Sequence, residues 1–197
     1  MFTASSQSKS KEGSIKKTKA QSAIEAAVFD SIQRTFSLLW DRIKDVEFIS
    51  EREAAEHIQT VCAEVQLFCE QSVLEAKPCL VASLLHRAGV ILDKCRSRDI
   101  EIGLAATRVS RLLSALNNRW MNVNPQDISS GLYGAGKLAA AGRLKGKFSV
   151  QDVDALLRRL SLIKNRSQKN VDSQAIANAL YGGGRLAEAG HLSGQIS

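Results

Sequence analysis

Residues 131–137 read GLYGAGK and match the G-x-x-x-x-G-K spacing with which a glycine-rich loop cradles phosphates. That chemistry needs a strand before the loop and a Ser or Thr after the lysine to hold magnesium. Here Leu138 follows Lys137, and the residues before it have helical spacing. A second copy of the segment, ALYGGGR at 179–185, loses the first glycine and carries arginine for lysine. Nucleotide binding is therefore not expected.

Other chemistry is equally thin. Cys62, Cys69, Cys79 and Cys95 form no CxxC pair, and His57 and His86 stand at no zinc-like spacing from them. Cys62 and Cys69 lie seven apart, so they share a helix face with Val65 and Phe68 and suit buried free thiols. Reduced cysteines and a cytosol-like working compartment are expected, with no metal and no cofactor. His57, His86 and His191 occur in unrelated contexts, and the acids scatter along polar helix faces. No catalytic constellation emerges, so the chain does not read as an enzyme.

Recognition chemistry is better represented. Tyr133 and Lys137 are four apart, as are Tyr181 and Arg185, which puts an aromatic ring beside a cation on one helix face, twice. Such a pair either stacks on a base and reaches a phosphate, or fills a groove between helices while the cation's stem covers the ring. Asn178 matches Ser130 and either reads a ligand edge or bonds between helices. Arg143, Lys145 and Lys147, then Lys164, Arg166 and Lys169, follow successive helices. They make either a solvated surface or a ridge of phosphate contacts.

The elements that must position these residues are helices. Ile24, Val28, Ile32, Phe36, Leu39, Ile43 and Val46 form one stripe. Ser50 with Glu53 is a capping box, and Ala54, Ile58, Val61, Val65 and Phe68 follow it. Pro78 opens a helix carrying Leu80, Leu84, Leu85, Ala88, Ile91, Leu92 and Cys95. Ile102, Ala105, Val109, Leu112, Leu113 and Leu116 make the next stripe. Asn124-Pro125 caps a helix that runs to about Gly142, where glycine permits a left-handed end. Ser149 with Asp152 starts another, with Val153, Leu156, Leu157 and Leu160. Residues 164–170 read as a polar basic loop, and Asp172 caps a last helix ending near Gly190.

Two of these helices are copies. QDISSGLYGAGKLAAAG at 126–142 and QAIANALYGGGRLAEAG at 174–190 share ten identical residues at a constant offset of 48. Val153, Leu156, Leu157 and Leu160 likewise repeat Val109, Leu112, Leu113 and Leu116 at an offset of 44. Such periods mean stacked helix pairs. The expected fold is all-α, an α-solenoid of antiparallel helix pairs behind a disordered N-terminal tail. The expected divisions are the tail at 1–20, a helical hairpin at 21–76, and repeats at 77–197, in units of about 78–118, 123–163 and an incomplete 171–197. A unit without its second helix suggests a shortened array, a fragment, or a partner over the open end, with self-association as the hazard. Six glycines within the two copies would each cost about 1 kcal/mol relative to alanine. Close helix–helix packing, a kink or a ligand-facing backbone would offset that.

Charge is divided along the chain. From Glu25 to Glu75 eleven acids face four bases, whereas from Gly103 onward thirteen bases face five acids. The basic half could attract nucleic acid, an acidic protein or anionic lipid, or could serve the acidic half. No apolar run reaches the roughly 18–20 residues of a membrane span. The first nineteen residues are rich in Ser and Lys with Glu12 as their only acid, which fits a flexible tail, a type III secretion signal or, less well, a transit peptide.

The segment IANALYGGGRL at 176–186 resembles two helical-repeat families. One is the Skwp-type repeat of large type III effectors of plant-pathogenic bacteria, including the XopAD-like proteins, centred on Asn-Ala-Leu with a cation a few residues later. The other is the octotricopeptide and FAST/RAP-type repeat of organellar RNA-binding proteins, where Tyr181 would replace a tryptophan. The chain departs from both. Its spacing exceeds the octotricopeptide period, no RAP-like domain is visible, and Leu138 and Leu186 stand where the Skwp repeat has tryptophan. The first resemblance implies delivery into a host cell and a binding role; a protein partner is expected, and a cytoplasmic place is the alternative to delivery. The second implies single-stranded RNA and an organelle. The expectation is a non-enzymatic binding scaffold of the effector kind, with RNA binding as the alternative.

Overall fold

The computed structural model describes residues 19–46, 49–71, 78–95, 103–117, 123–166 and 172–194. They form seven helices: α1 (Lys19–Ile43), α2 (Glu51–Gln71), α3 (Pro78–Lys94), α4 (Ala106–Leu116), α5 (Pro125–Ala140), α6 (Val150–Arg166) and α7 (Ser173–Glu188). The chain is mostly helical, in agreement with the all-α expectation.

Side-chain caps start the helices where polar residues precede an apolar stripe. Ser50 donates through its hydroxyl to the Glu53 carboxylate (2.6 Å), and the Glu53 N–H donates back to Ser50 Oγ (3.4 Å). The same reciprocal box opens α5: Asp127 N–H to Asn124 Oδ1 (2.8 Å) and Asn124 N–H to Asp127 Oδ2 (3.2 Å). Burial pushes the Asp127 carboxyl above its ordinary pKa, and the Asn124 backbone bond pulls the other way. Asp172 accepts from the Gln174 N–H (3.1 Å) to open α7.

Helices α5 and α7 end alike. The Gly142 N–H donates to the Ala139 carbonyl and the Arg143 N–H to Leu138, a Schellman motif that holds Gly142 at φ 67°. Gly190 and His191 repeat it on Ala187 and Leu186. Each exit leads into a two-residue strand that pattern reading does not anticipate. β1 (Leu104–Ala105) pairs in parallel with β2 (Leu144–Lys145), and β3 (Phe148–Ser149) with β4 (Leu192–Ser193). Such runs are too short to carry an alternation, so they leave no periodic signal.

The helices lie in two rows. α1 packs on α3, α3 on α5 and α5 on α7, while α2 packs on α4 and α4 on α6. Helices α1, α3 and α5 each also touch the helix that follows, in the pairs α1·α2, α3·α4 and α5·α6. The core fills the space between rows: Phe36, Ile58, Leu84, Leu85, Ile91, Leu112, Leu113 and Phe148 are all fully buried. Cross-links tie the second row. Ser110 donates to Asp152 (2.9 Å), and Arg159 reaches from α6 to the Leu116 carbonyl at the end of α4 (3.2 Å).

Several local expectations change. Ala105 belongs to β1 and not to the helix after it, and Ile102 lies outside the described residues. Helix α6 does start after Ser149, whose hydroxyl accepts from the Gln151 N–H (3.2 Å), while Asp152 accepts from Ser110 across the row (2.9 Å). Residues 164–166, read as loop because they are polar and basic, are the last turn of α6. Cations near a helix C-terminus meet the negative end of its dipole, so a basic run does not by itself end a helix. Val46 lies beyond the end of α1 and is exposed. Of the tail expected at 1–20, the first 18 residues lie outside the described residues, and Lys19 and Ala20 already belong to α1.

Candidate binding surface

Row one is held together by glycines at its crossings. An added Cβ on Gly134 would overlap the Leu85 carbonyl and come within 2.6 Å of the His86 nitrogen. One on Gly182 would overlap the Leu132 carbonyl and come within 2.7 Å of the Tyr133 nitrogen. The obstacles are backbone atoms, so only glycine fits. The receiving helix contributes a glycine as well: a Cβ on Gly89 would lie 2.8 Å from Gly134 Cα, and one on Gly136 would lie 2.6 Å from Gly182 Cα. Close packing thus accounts for Gly134, Gly136 and Gly182. Gly184 does not fit this account, since a Cβ there would meet nothing within 4 Å.

The two crossings superimpose α3 on α5 at an offset of 47, matching Pro78 with Pro125, Leu85 with Leu132, His86 with Tyr133 and Gly89 with Gly136. His86 is therefore the first member of the aromatic series. It stacks on Tyr133 at 5.5 Å between centroids, and Tyr133 meets Tyr181 at 5.3 Å. The shared Pro78/Pro125 start carries this alignment in the sequence, but histidine for tyrosine hides it. Burial, and then the nearby Arg87, hold the His86 pKa below its ordinary value.

The cations sit against these rings. Lys137 Nζ lies 5.6 Å from the Tyr133 centroid and 5.9 Å from that of Tyr181, and it donates to Asp93 at 2.6 Å. Both partners are largely shielded, and the Asp93 hydrogen bond raises the Lys137 pKa. Arg185 lies 5.5 Å over Tyr181, with its Nε 3.4 Å from the tyrosine hydroxyl and its Nη1 2.6 Å from Glu188. These bonds, to Tyr181 first, push its pKa upward. Asn178 accepts from Gln174 one turn earlier (3.0 Å), as Ser130 does from Gln126 (3.2 Å). The structure therefore joins Tyr133, Lys137, Tyr181 and Arg185 in one ladder and leaves Asn178 beside it.

The basic residues divide. Lys145 and Lys147 are exposed around Gly146. Arg143, expected with them at the surface, is buried, and the surrounding desolvation lowers its pKa. The Schellman motif turns its side chain inward toward Cys62 and Cys95. The side chains of Lys164 and Arg166 and the whole of Lys169 lie outside the described residues. Cys69 and Cys95 are buried and Cys62 is half-buried, and desolvation pushes all three thiols up to about 11. Residues 131–137 lie wholly inside α5, so no loop presents its N–H groups to a phosphate. Among the described helices none is long and apolar enough to cross a membrane.

A cleft of about 430 Å³ between α1 and α3, lined by Phe36, Trp40, His86 and Val90, opens at the first rung of the ladder. Sequence reasoning misses it because it forms between two elements that share no repeat. No protein-family model, curated protein or solved structure matches the chain.

Proposed function

We propose that the chain is a non-enzymatic α-solenoid scaffold that binds a protein partner. The observation that carries the reading is the recurrence of one seating: α5 on α3 and α7 on α5 use matched glycines and matched rings. A row built by repeating one contact makes an extended surface, which is what such arrays use for binding. Protein is favoured over single-stranded RNA by the closed state of the ladder. A base inserted between two rings needs about 7 Å, two van der Waals contacts, and Tyr133 and Tyr181 are 5.3 Å apart. Lys137 is already committed to Asp93. Affinity isolation of the full chain after nuclease treatment is expected to retain a protein partner. Retention of RNA alone, lost with Tyr181→Ala and at raised salt, would favour the alternative, for which the exposed Lys145 and Lys147 speak.

The Ser- and Lys-rich first residues and the Skwp-like segment support a type III effector role, with action inside a host cell. Removal of residues 1–20 is then expected to abolish export through a type III system. Export that persists, or that is independent of the system, would remove this part and leave a cytoplasmic scaffold.

A further inference from the structure

The face of α5 that receives α7 is a stripe of Ser129, Leu132, Gly136 and Ala139, all buried. The face of α3 that receives α5 is the matching stripe Ala82, Leu85, Gly89 and Leu92, also all buried. The third copy, on α7, is Ala177, Leu180, Gly184 and Ala187, and every member is exposed. Leu180 is 60% exposed where Leu132, its counterpart, is 0%. The exposed stripe carries no charge. Gly184, which packs against nothing in the described structure, stands where Gly89 and Gly136 receive a glycine from the next helix.

The occupant of the two filled seats is also defined. α7 buries four residues, Ala175, Ala179, Gly182 and Leu186. The corresponding residues of α5 are Asp127, Gly131, Gly134 and Leu138, buried as well. The inserting helix therefore carries a small residue, glycine at the crossing, and leucine at spacings of three and four. Helix α5 uses one face to insert onto α3 and the opposite face to receive α7, a head-to-tail contact that does not close on itself.

We propose that the Ala177–Leu180–Gly184–Ala187 face of α7 is a docking seat for a helix that presents a glycine toward Gly184 and a leucine one turn beyond. The seat continues an interface that the chain builds twice within itself, so the ligand is specified by the helices that already fill the other two. The inference deepens the scaffold reading and rests on its stacked row.

The probe is a labelled peptide with the sequence of residues 172–190, titrated into the full chain. It is expected to bind saturably, and binding is expected to fall about 30-fold or more with Leu180→Asp in the protein, as for a truncated anchor at an interface centre. Gly184→Leu is expected to do the same. Both sites are exposed, so both variants keep the fold, as circular dichroism would verify. Leu38→Asp, at the exposed side of α1, should leave binding unchanged. A peptide with leucine in place of its crossing glycine should not bind. Absence of binding, or binding indifferent to Leu180→Asp, overturns the proposal. So does light scattering that shows the chain dimerising through Leu180, since two like faces would then meet in place of an inserting helix. A failure of the stacked row itself would appear separately, as loss of contact between Gly136 and Gly182.

Discussion

Two glycines two residues apart on α7 should respond to the same substitution with opposite sign. Gly182→Ala adds a methyl that overlaps the Leu132 carbonyl and lies within 2.7 Å of the Tyr133 nitrogen. Neither atom belongs to a side chain that can swing away. The helices must separate by something on the order of 1 Å, which loosens every contact along the crossing. Overpacking of this kind costs up to about 3 kcal/mol, less about 1 kcal/mol gained by replacing glycine with alanine in a helix. The expected net loss is about 2 kcal/mol. Gly184→Ala adds a methyl into open space and keeps only the gain of about 1 kcal/mol. In a chain of this size each kcal/mol moves the thermal midpoint by roughly 2–4 °C. Gly182→Ala should therefore melt about 4–8 °C below the parent and Gly184→Ala about 2–4 °C above it. Thermal and urea unfolding followed by circular dichroism would read both. Equal midpoints for the two variants, or a gain for Gly182→Ala, would refute the close crossing.

Three further outcomes follow from the site. His86 has a depressed pKa in the folded state, so its neutral form is favoured there; stability should be full above its ordinary value of 6.5 and fall as the pH drops through and below it. His86→Phe should remove that part of the pH dependence in urea titrations at pH 7.5 and 5.5. Asp93→Ala should cost about 1–2 kcal/mol, between an exposed and a buried pair, and Lys137→Met combined with it should recover part of the loss, read by denaturant midpoints. Cys79 is exposed and should react with a thiol reagent in the native protein, whereas Cys69 and Cys95, with thiols pushed up to about 11, should react only on unfolding.

Helices α2 and α5 were the most legible because each carries two independent signals, whereas α1 and α4 rest on an apolar stripe alone. In α2 the Ser50–Glu53 box and the Ala54–Phe68 stripe agree, and in α5 Asn124-Pro125 and the Gly142 end bracket the helix. The duplication of α5 in α7 is legible because Gly134 and Gly182, where backbone atoms leave room only for glycine, recur at the same place in both copies, whereas Gly184 repeats Gly136 with no such contact. The ladder was only half legible. Tyr133 and Tyr181 repeat in plain view, but His86 keeps the stacking with a different ring, and Val90 stands where Lys137 and Arg185 stand. Asp93 as the partner of Lys137 follows from the 44-residue reach across the crossing and has no local pattern. Arg143 misled for a physical reason: its neighbours Lys145 and Lys147 are solvated, but the left-handed turn at Gly142 reverses the chain and points residue 143 into the core. The two-residue parallel strands left no trace, since a strand must be longer than its own period of two to show one.

Helix α5 lies between α3 and α7 with glycine backbones in contact on both sides, and the binding surface depends on that arrangement. The direct measurement is a nuclear Overhauser spectrum of a glycine-labelled sample. Strong Hα–Hα cross-peaks are expected between Gly136 and Gly182 and between Gly89 and Gly134. Their absence, with the helices otherwise intact, would contradict the stacked row and the binding surface built on it.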